Sequence, residues 1–275
     1  MDERLTLVVD CGGLGIKYAL VHPNGEFIEA PSRFPTVYPL SPESLIMLIT
    51  GMFESYPKVD QITVGMPGMI RHGAVVHTPH YITKDGPFTE IDPELVALWA
   101  GFDLQTVLSE RLQVPVRVLN DAEIHGYGVI EGKGLEVALT LGTGLGSAWF
   151  DDGVLAPHLE VSEAPVWIET ITPTLDPEAI ADSANAKQRS TVTYDTFIGD
   201  TVLRRLGPEA WSKRVAAVVD TLRPVFWFDH LYLGGGNAAN IVPEIAESFG
   251  PEVSIVPNES ALIGGARLWT LPAKD

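Results

Sequence analysis

Two short stretches of the chain carry the residue types that phosphate chemistry needs. Asp10-Cys11-Gly12-Gly13-Leu14-Gly15-Ile16-Lys17 sets a carboxylate and an amine on either side of a glycine-rich tip. Leu141-Gly142-Thr143-Gly144-Leu145-Gly146-Ser147 sets a hydroxyl on a similar one. Apolar residues flank both tips, Val8-Val9 and Ala19-Leu20-Val21 around the first, Ala138-Leu139 and Ala148-Trp149-Phe150 around the second. That pattern predicts two β-hairpins whose tips exclude bulky side chains. Backbone N–H groups can converge on an anion at such a tip. Asp10 offers a carboxylate for a hydrated metal, Lys17 a cation and Thr143 a hydroxyl. Taken singly, each tip is also an ordinary turn. As a pair facing one cleft, they would grip a phosphate chain from both sides.

Asn120-Asp121-Ala122-Glu123 follows the apolar run Val116 to Leu119 and precedes a helix running towards Gly128. The end of a strand meeting the start of a helix is where open α/β sheets place ligands. An aspartate there is partly desolvated, stays ionised beside helix-terminal N–H groups, and can take a proton from a hydroxyl. The competing reading is that Asn120 and Asp121 only cap the helix. Gly234-Gly235-Gly236-Asn237, after the strand His230–Leu233, lets a flat ring or a phosphate approach the backbone.

The elements that must hold these groups follow from periodicity and turn signals. Residues 5–31 predict three short strands, with His22-Pro23-Asn24-Gly25 as a turn, and residues 33–42 an irregular, proline-rich segment. Ser41 caps a helix carrying Leu45, Leu48, Ile49 and Met52 on one face. A buried strand over 61–66 ends in Gly65-Met66-Pro67-Gly68, and residues 78–87 form a long loop. A helix covers 102–112. Residues 151–193 are less legible, and helices resume over 194–206 and 208–228. A strand at 253–257 and a helix over 259–268 close the chain. The repeated Gly-Leu-Gly tips imply an internal duplication: two similar α/β lobes, residues 1–119 and 120–258, around a nucleotide cleft. The C-terminal helix, about residues 259–275, is expected to pack back on the first lobe.

With 275 residues, 45% of them apolar, the chain has ample core for this arrangement. No apolar run approaches the roughly 18 residues of a membrane span, and no signal peptide is read at the start, so a cytoplasmic location is the expectation. The single cysteine, Cys11, excludes an intrachain disulfide and a cysteine-based zinc cluster. A net charge of −18 argues against nucleic acid as the main partner. His77 and His125 have no metal-ligand spacing and read as structural or surface histidines.

In combination these motifs resemble the ROK sugar kinases of the actin/hexokinase/Hsp70-like superfamily, most closely their polyphosphate-glucokinase-like branch. The resemblance implies a two-lobed actin-like ATPase (ribonuclease H-like) fold, α/β in class. It also implies Asp121 as general base, with Asn120, Gly68, His80, His158 and Glu160 on the sugar side. Asp10 would hold Mg²⁺ through water. Gly12, Gly13, Gly15, Lys17, Thr143 and Gly144 would hold phosphates, and Gly235, Gly236 and Asn237 the nucleotide. ATP or polyphosphate would be the phosphoryl donor, no zinc is expected, and a homodimer is. Lys17 could equally pair with a carboxylate.

Departures from the family pattern lie on the ligand side. Leu155-Ala156-Pro157-His158 aligns with the family's Glu-x-Gly-His sugar motif, unless the register shifts to Glu160 or Glu163. Pro79-His80 replaces a Pro-Asn pair, and Leu14 replaces a Ser or Thr. Two functions follow. The first is a kinase for a sugar hydroxyl, with an acceptor that need not be glucose. The second is a catalytically weak relative that binds sugar or nucleotide as a sensor.

Overall fold

The computed structural model describes residues 4–166 and 192–271. Its first sheet is built from β1 (Thr6–Cys11), β2 (Gly15–Val21), β3 (Ser32–Pro35) and β4 (Gln61–Met66). A small three-stranded sheet of β5 (Met69–Arg71), β6 (Ala74–His77) and β7 (Phe102–Asp103) follows before β8 (Val116–Asn120) completes the first. The order is β3-β2-β1-β4-β8, with β1, β2 and β3 antiparallel and β4 and β8 parallel to β1.

The second sheet contains β9 (Leu135–Leu141), β10 (Leu145–Asp151), β11 (Val154–Leu155), β12 (His230–Gly234) and β13 (Val253–Ile255). Its order, β11-β10-β9-β12-β13, repeats that of the first once β5 to β7 are set aside as an excursion. The expected duplication is therefore present strand for strand. Each sheet pairs an antiparallel hairpin unit with two parallel strands, and parallel strands must be covered on both faces. That is why β1 and β4 read as near-continuous apolar runs, buried from Thr6 to Val9 and throughout Gln61–Met66.

Helices α1 (Pro42–Glu54) and α3 (Leu104–Leu112) share the apolar core of the first sheet, and α2 (Pro93–Trp99) packs against β6 of the small sheet while adding Leu95 and Trp99 to that core. Ser41 caps α1 by accepting the Ser44 N–H, as its sequence predicts. After α4 (Asp121–Tyr127) and the second hairpin come α5 (Tyr194–Ile198) and α6 (Asp200–Phe226). Residues of α6 form the core over the second sheet, including the fully buried Trp211. The run of α6 kinks at Gly207, where φ is 76°, which is the break that Pro208 signals in the sequence. The short α7 (Pro243–Ala246) and then α8 (Ser260–Arg267) end the described chain. No described helix is long and apolar enough to cross a membrane.

The third strand lies later than predicted. β3 begins at Ser32, whereas Phe27 makes only an isolated bridge to Val21. The proline-rich segment could supply a strand because β3 is an edge, where a missing N–H donor is tolerated. Much of the poorly legible stretch between 151 and 193 lies outside the described residues, as does the end of the expected C-terminal helix.

Helices α4 and α8 cross between the two sheets. A β-carbon at Gly264 would collide with the Ile124 carbonyl, and one at Gly128 with the Ser260 carbonyl, so the helices touch through their backbones. On its other side α8 packs Leu262 and Ala266 against Val8, and Thr63 Oγ1 donates to the Gly265 carbonyl at 2.7 Å. The C-terminal helix thus rests on the first sheet.

Candidate active site

A cleft of about 630 Å³ separates the sheets, and it collects every predicted site residue except His158. Asp121 stands on its wall at the first position of α4, directly after β8. Asn120 is the cap: its side-chain oxygen accepts the Ala122 N–H at 2.8 Å, and Glu123 returns to the Asn120 N–H at 3.0 Å. The Asn120 amide also donates to the Gly68 carbonyl at 2.8 Å, tying the Gly65–Gly68 turn to the strand end. Capping therefore falls to Asn120 and leaves one oxygen of Asp121 to the cleft, since Oδ1 takes the Ala122 N–H at 2.9 Å. Burial first, and then the charge of Asp10, push the Asp121 carboxyl up to about 7. A carboxylate so poised gives and takes protons near neutral pH.

The two tips enter this cleft with their carbonyls held from behind. At the first, Thr36 Oγ1 donates to the Gly12 carbonyl at 2.8 Å and the Tyr38 hydroxyl to the Gly13 carbonyl at 2.7 Å. The Gly13 and Leu14 amides make no hydrogen bond among the described residues, and both residues line the cleft. At the second, Asn237 Nδ2 donates to the Gly142 carbonyl at 3.0 Å and the Asp200 N–H to the Thr143 carbonyl at 3.2 Å. There the Thr143 and Gly144 amides are the ones without a partner among the described residues. Opposed sets of unengaged N–H groups are what an extended phosphate donor requires.

Lys17 pairs with a carboxylate while lining the cleft: Nζ lies 3.0 Å from Asp10 Oδ2 and 3.2 Å from Asn258 Oδ1, and all three residues line the cleft. Gly235 and Gly236 line the wall of the second sheet, with Gly236 facing open space. Leu14, half exposed at the tip, presents an apolar side chain where a hydroxyl was expected.

The sugar-side register is corrected. Leu155 lies in β11 opposite Phe150 and packs against the cluster of Ile124, Tyr127 and Phe150, away from the cleft. A glutamate at 155 would place its carboxylate among those rings. Glu160, Ser162 and Glu163 line the cleft instead, the last two on a 3₁₀ turn, Val161–Glu163. His158 is corrected as well, because it lies behind the wall, 4% exposed. Its ring sits 3.4 Å from Glu123 and 3.4 Å from Glu160. Burial pulls its pKa down, but the neighbouring carboxylates of Glu123 and Glu160 outweigh that and lift it to about 9. The imidazolium in turn helps the Ser162 hydroxyl, 2.6 Å from Oε1, to hold Glu160 below the usual carboxylate range against its burial. His158 is thus a strut that aims Glu160.

His80 reaches the cleft, its ring packed over Gly13 and held neutral by burial, with the pKa brought down to about 4. His125, 2% exposed, also lines the cleft, with Nε2 against Gly234 and without a hydrogen-bond partner for that nitrogen among the described residues. Sequence patterns missed Asp195, Asp200, Arg33 and Arg204, all cleft residues from distant elements. Asp195 is the most intimate: Oδ1 accepts the Leu145 N–H at 2.8 Å, and a β-carbon at Gly144 would collide with its carboxylate.

Among the described residues no three His, Cys, Asp or Glu side chains converge as a metal site. Asp10 is a carboxylate that could share a hydrated Mg²⁺: its side chain is 13% exposed on the cleft, with one oxygen on Lys17. A single carboxylate that leaves the remaining ligands to water and phosphate is the usual protein share in Mg²⁺ sites.

Comparison with known proteins accords with this geometry. The ROK family matches residues 6–156, from β1 to just past β11. The chain belongs to the ROK family. It is 27% identical over 276 aligned positions to the polyphosphate glucokinase of Mycobacterium tuberculosis, covering 96% of this chain and 91% of that one. Among solved structures, the inorganic polyphosphate/ATP-glucomannokinase of Arthrobacter sp. strain KM superimposes with a TM-score of 0.71 at 24% identity, over 96% of this chain and 97% of that one. A ROK glucokinase from Streptomyces griseus gives a TM-score of 0.64 at 18% identity, over 96% and 98%. The ROK fold therefore extends across both sheets.

Proposed function

We propose that the protein is a sugar kinase, transferring the terminal phosphoryl group of ATP or polyphosphate to a hydroxyl of a sugar or sugar-like acceptor. The observation that carries this is Asp121, poised near neutrality at the end of β8 and facing the unengaged amides of two glycine-rich tips. The Asp121 carboxylate takes the proton of the acceptor hydroxyl as its oxygen bonds to the terminal phosphorus. The bridging oxygen of the donor leaves with the rest of the phosphate chain. Amides of the tips hold the phosphoryl oxygens, and Glu160, with His80 and Gly68 opposite, orients the acceptor. Mg²⁺, held through water by Asp10, would supply neutralising charge to the donor phosphates.

The sensor alternative rests on altered ligand contacts, and Glu160 weakens it by restoring the carboxylate that Leu155 lacks. A homodimer belongs to this proposal through the resemblance, and light scattering tests it; a cytoplasmic location belongs to it through the sequence reading.

The deciding experiment crosses ATP and polyphosphate against hexoses, amino sugars, pentoses and polyols in the presence of Mg²⁺. Asp121→Asn serves as the control, expected to lower kcat by about 10²–10⁴ while donor binding persists. Turnover unchanged in that variant would sink the mechanism. Because the base works deprotonated, kcat/KM should climb with pH through a limb centred near 7. The same group sets a stability linkage of opposite sense. Its folded pKa is raised, so folding takes up a proton between its ordinary range and about pH 7. The resulting destabilisation grows over that window and is complete above it, and Asp121→Asn should raise Tm at pH 8.

A further inference from the structure

Three Lys or Arg side chains among the described residues line the cleft: Lys17, Arg33 and Arg204. Lys17 is committed to Asp10 and Asn258, and Arg204 Nε lies 2.7 Å from Asp200 Oδ2. The Arg33 guanidinium pairs with no described carboxylate.

Its place follows from strand register. Asp10 is the cross-strand partner of Lys17, and Lys17 is the partner of Arg33, so the three form one row across β1, β2 and β3. Directly paired residues share a face of the sheet. Exposure rises outward along the row, from 13% and 21% for the Asp10 and Lys17 side chains to the exposed Arg33. Gly15, two residues before Lys17, shares that face and leaves room for the guanidinium. A β-carbon at Gly15 would lie 3.2 Å from Arg33 Nε and 3.4 Å from Nη2. The guanidinium therefore leans along β2 towards the first tip. Asp10 and Lys17 cancel each other, so the row ends in one uncompensated positive charge, on a chain of net charge −18.

We propose that Arg33, at the outer end of this row, forms an outer subsite for a linear inorganic polyphosphate, gripping phosphate units beyond the one transferred. This rests on the kinase reading and adds to it the direction in which a long donor runs. β3 is the outer edge of the first sheet, whereas Gly235 and Gly236 belong to the second. A nucleoside triphosphate whose base turns towards those glycines leaves Arg33 empty. A chain of repeating phosphates can follow β2 out to β3, and the planar fork of an arginine suits phosphate oxygens.

The test is steady-state kinetics of Arg33→Gln and Arg33→Lys with long-chain polyphosphate and with ATP, at fixed salt. Arg33→Gln should raise KM for long-chain polyphosphate about tenfold, the loss of one charge-assisted contact, leaving kcat in place. Arg33→Lys, which keeps the charge and loses the fork, should fall between. KM for ATP should move by less than about twofold, and the polyphosphate effect should shrink as the donor is shortened to tripolyphosphate. An equal rise with both donors would overturn the proposal by placing Arg33 on the transferred phosphate. No rise with either, or a wild-type protein that neither uses nor binds polyphosphate, would overturn it too. Calorimetry with polyphosphate separates the two readings. Binding weakened by Arg33→Gln in a protein that transfers to no acceptor would keep the subsite and sink the kinase.

Discussion

At the first glycine-rich tip the bracing groups are neutral hydroxyls, from Thr36, Tyr38 and, at 3.3 Å from the Gly12 carbonyl, Tyr81. At the second they are the Asn237 amide, the Asp200 N–H and the Asp195 carboxylate, which occupies the Leu145 N–H. Burial lifts the Asp195 carboxyl above its ordinary range, against the pull of that N–H. The first tip thus brings a balanced pair, Asp10 and Lys17, with Arg33 beyond it. The second brings a carboxylate already seated on one of its amides. On the proposed function, two hairpins that look alike in sequence would divide the work: the first would compensate donor charge, and the second would offer shape and N–H groups with an anion beside them.

Breaking the first tip should cost most. Asp10→Asn is expected to lower kcat by on the order of 10²–10³, the usual loss for a preorganised charge in a phosphoryl-transfer site, and a drop no larger than that of Asp195→Asn would erase the distinction. Gly144→Ala comes next. Its methyl group would meet the Asp195 carboxylate, with an expected loss of about tenfold to a hundredfold in kcat/KM. The double variant Gly144→Ala/Asp195→Ala should recover much of it, and a purely additive cycle would show that the contact is not the cause. His158→Leu leaves Glu123 and Glu160 without their shared cation, so unfolding free energy should fall by about 3 kcal/mol at pH 7. Because the His158 pKa is raised to about 9, the wild-type advantage is full below its ordinary value and fades as pH climbs through 9. Denaturant melts of both proteins at pH 7 and pH 10 would show the gap narrow. Smallest are Tyr38→Phe and Asn237→Ala, each worth about 1 kcal/mol of stability. Tyr38→Phe should raise donor KM more, since Gly13 flanks the charge-compensating tip.

Both tips, Asp121 and the duplicated architecture were legible because each depends on local pattern: glycines between alternating apolar runs, or a polar pair where a strand becomes a helix. Residues that act across the chain were not. Leu155 follows the second hairpin at a plausible distance, but Glu160 takes the cleft because a buried imidazole ties it to Glu123 on α4. Asp195 reaches the second tip from 50 residues away in sequence. Arg33 was hidden for a different reason. Flanking prolines marked its segment as irregular, although an edge strand accepts them, and cross-strand register is invisible until the strand itself is placed.

The chain passes from one sheet to the other at α4 and returns at α8, the pair that meets backbone to backbone at Gly128 and Gly264. Around that backbone contact Ile124 and Tyr127 of α4 share a buried apolar cluster with Ala261 of α8, so side chains seat the crossing as well. Even the single methyl group of an alanine at Gly264 would meet the Ile124 carbonyl, an atom of the backbone that cannot turn aside, so the closeness of the two sheets at this crossing depends on the absence of one carbon.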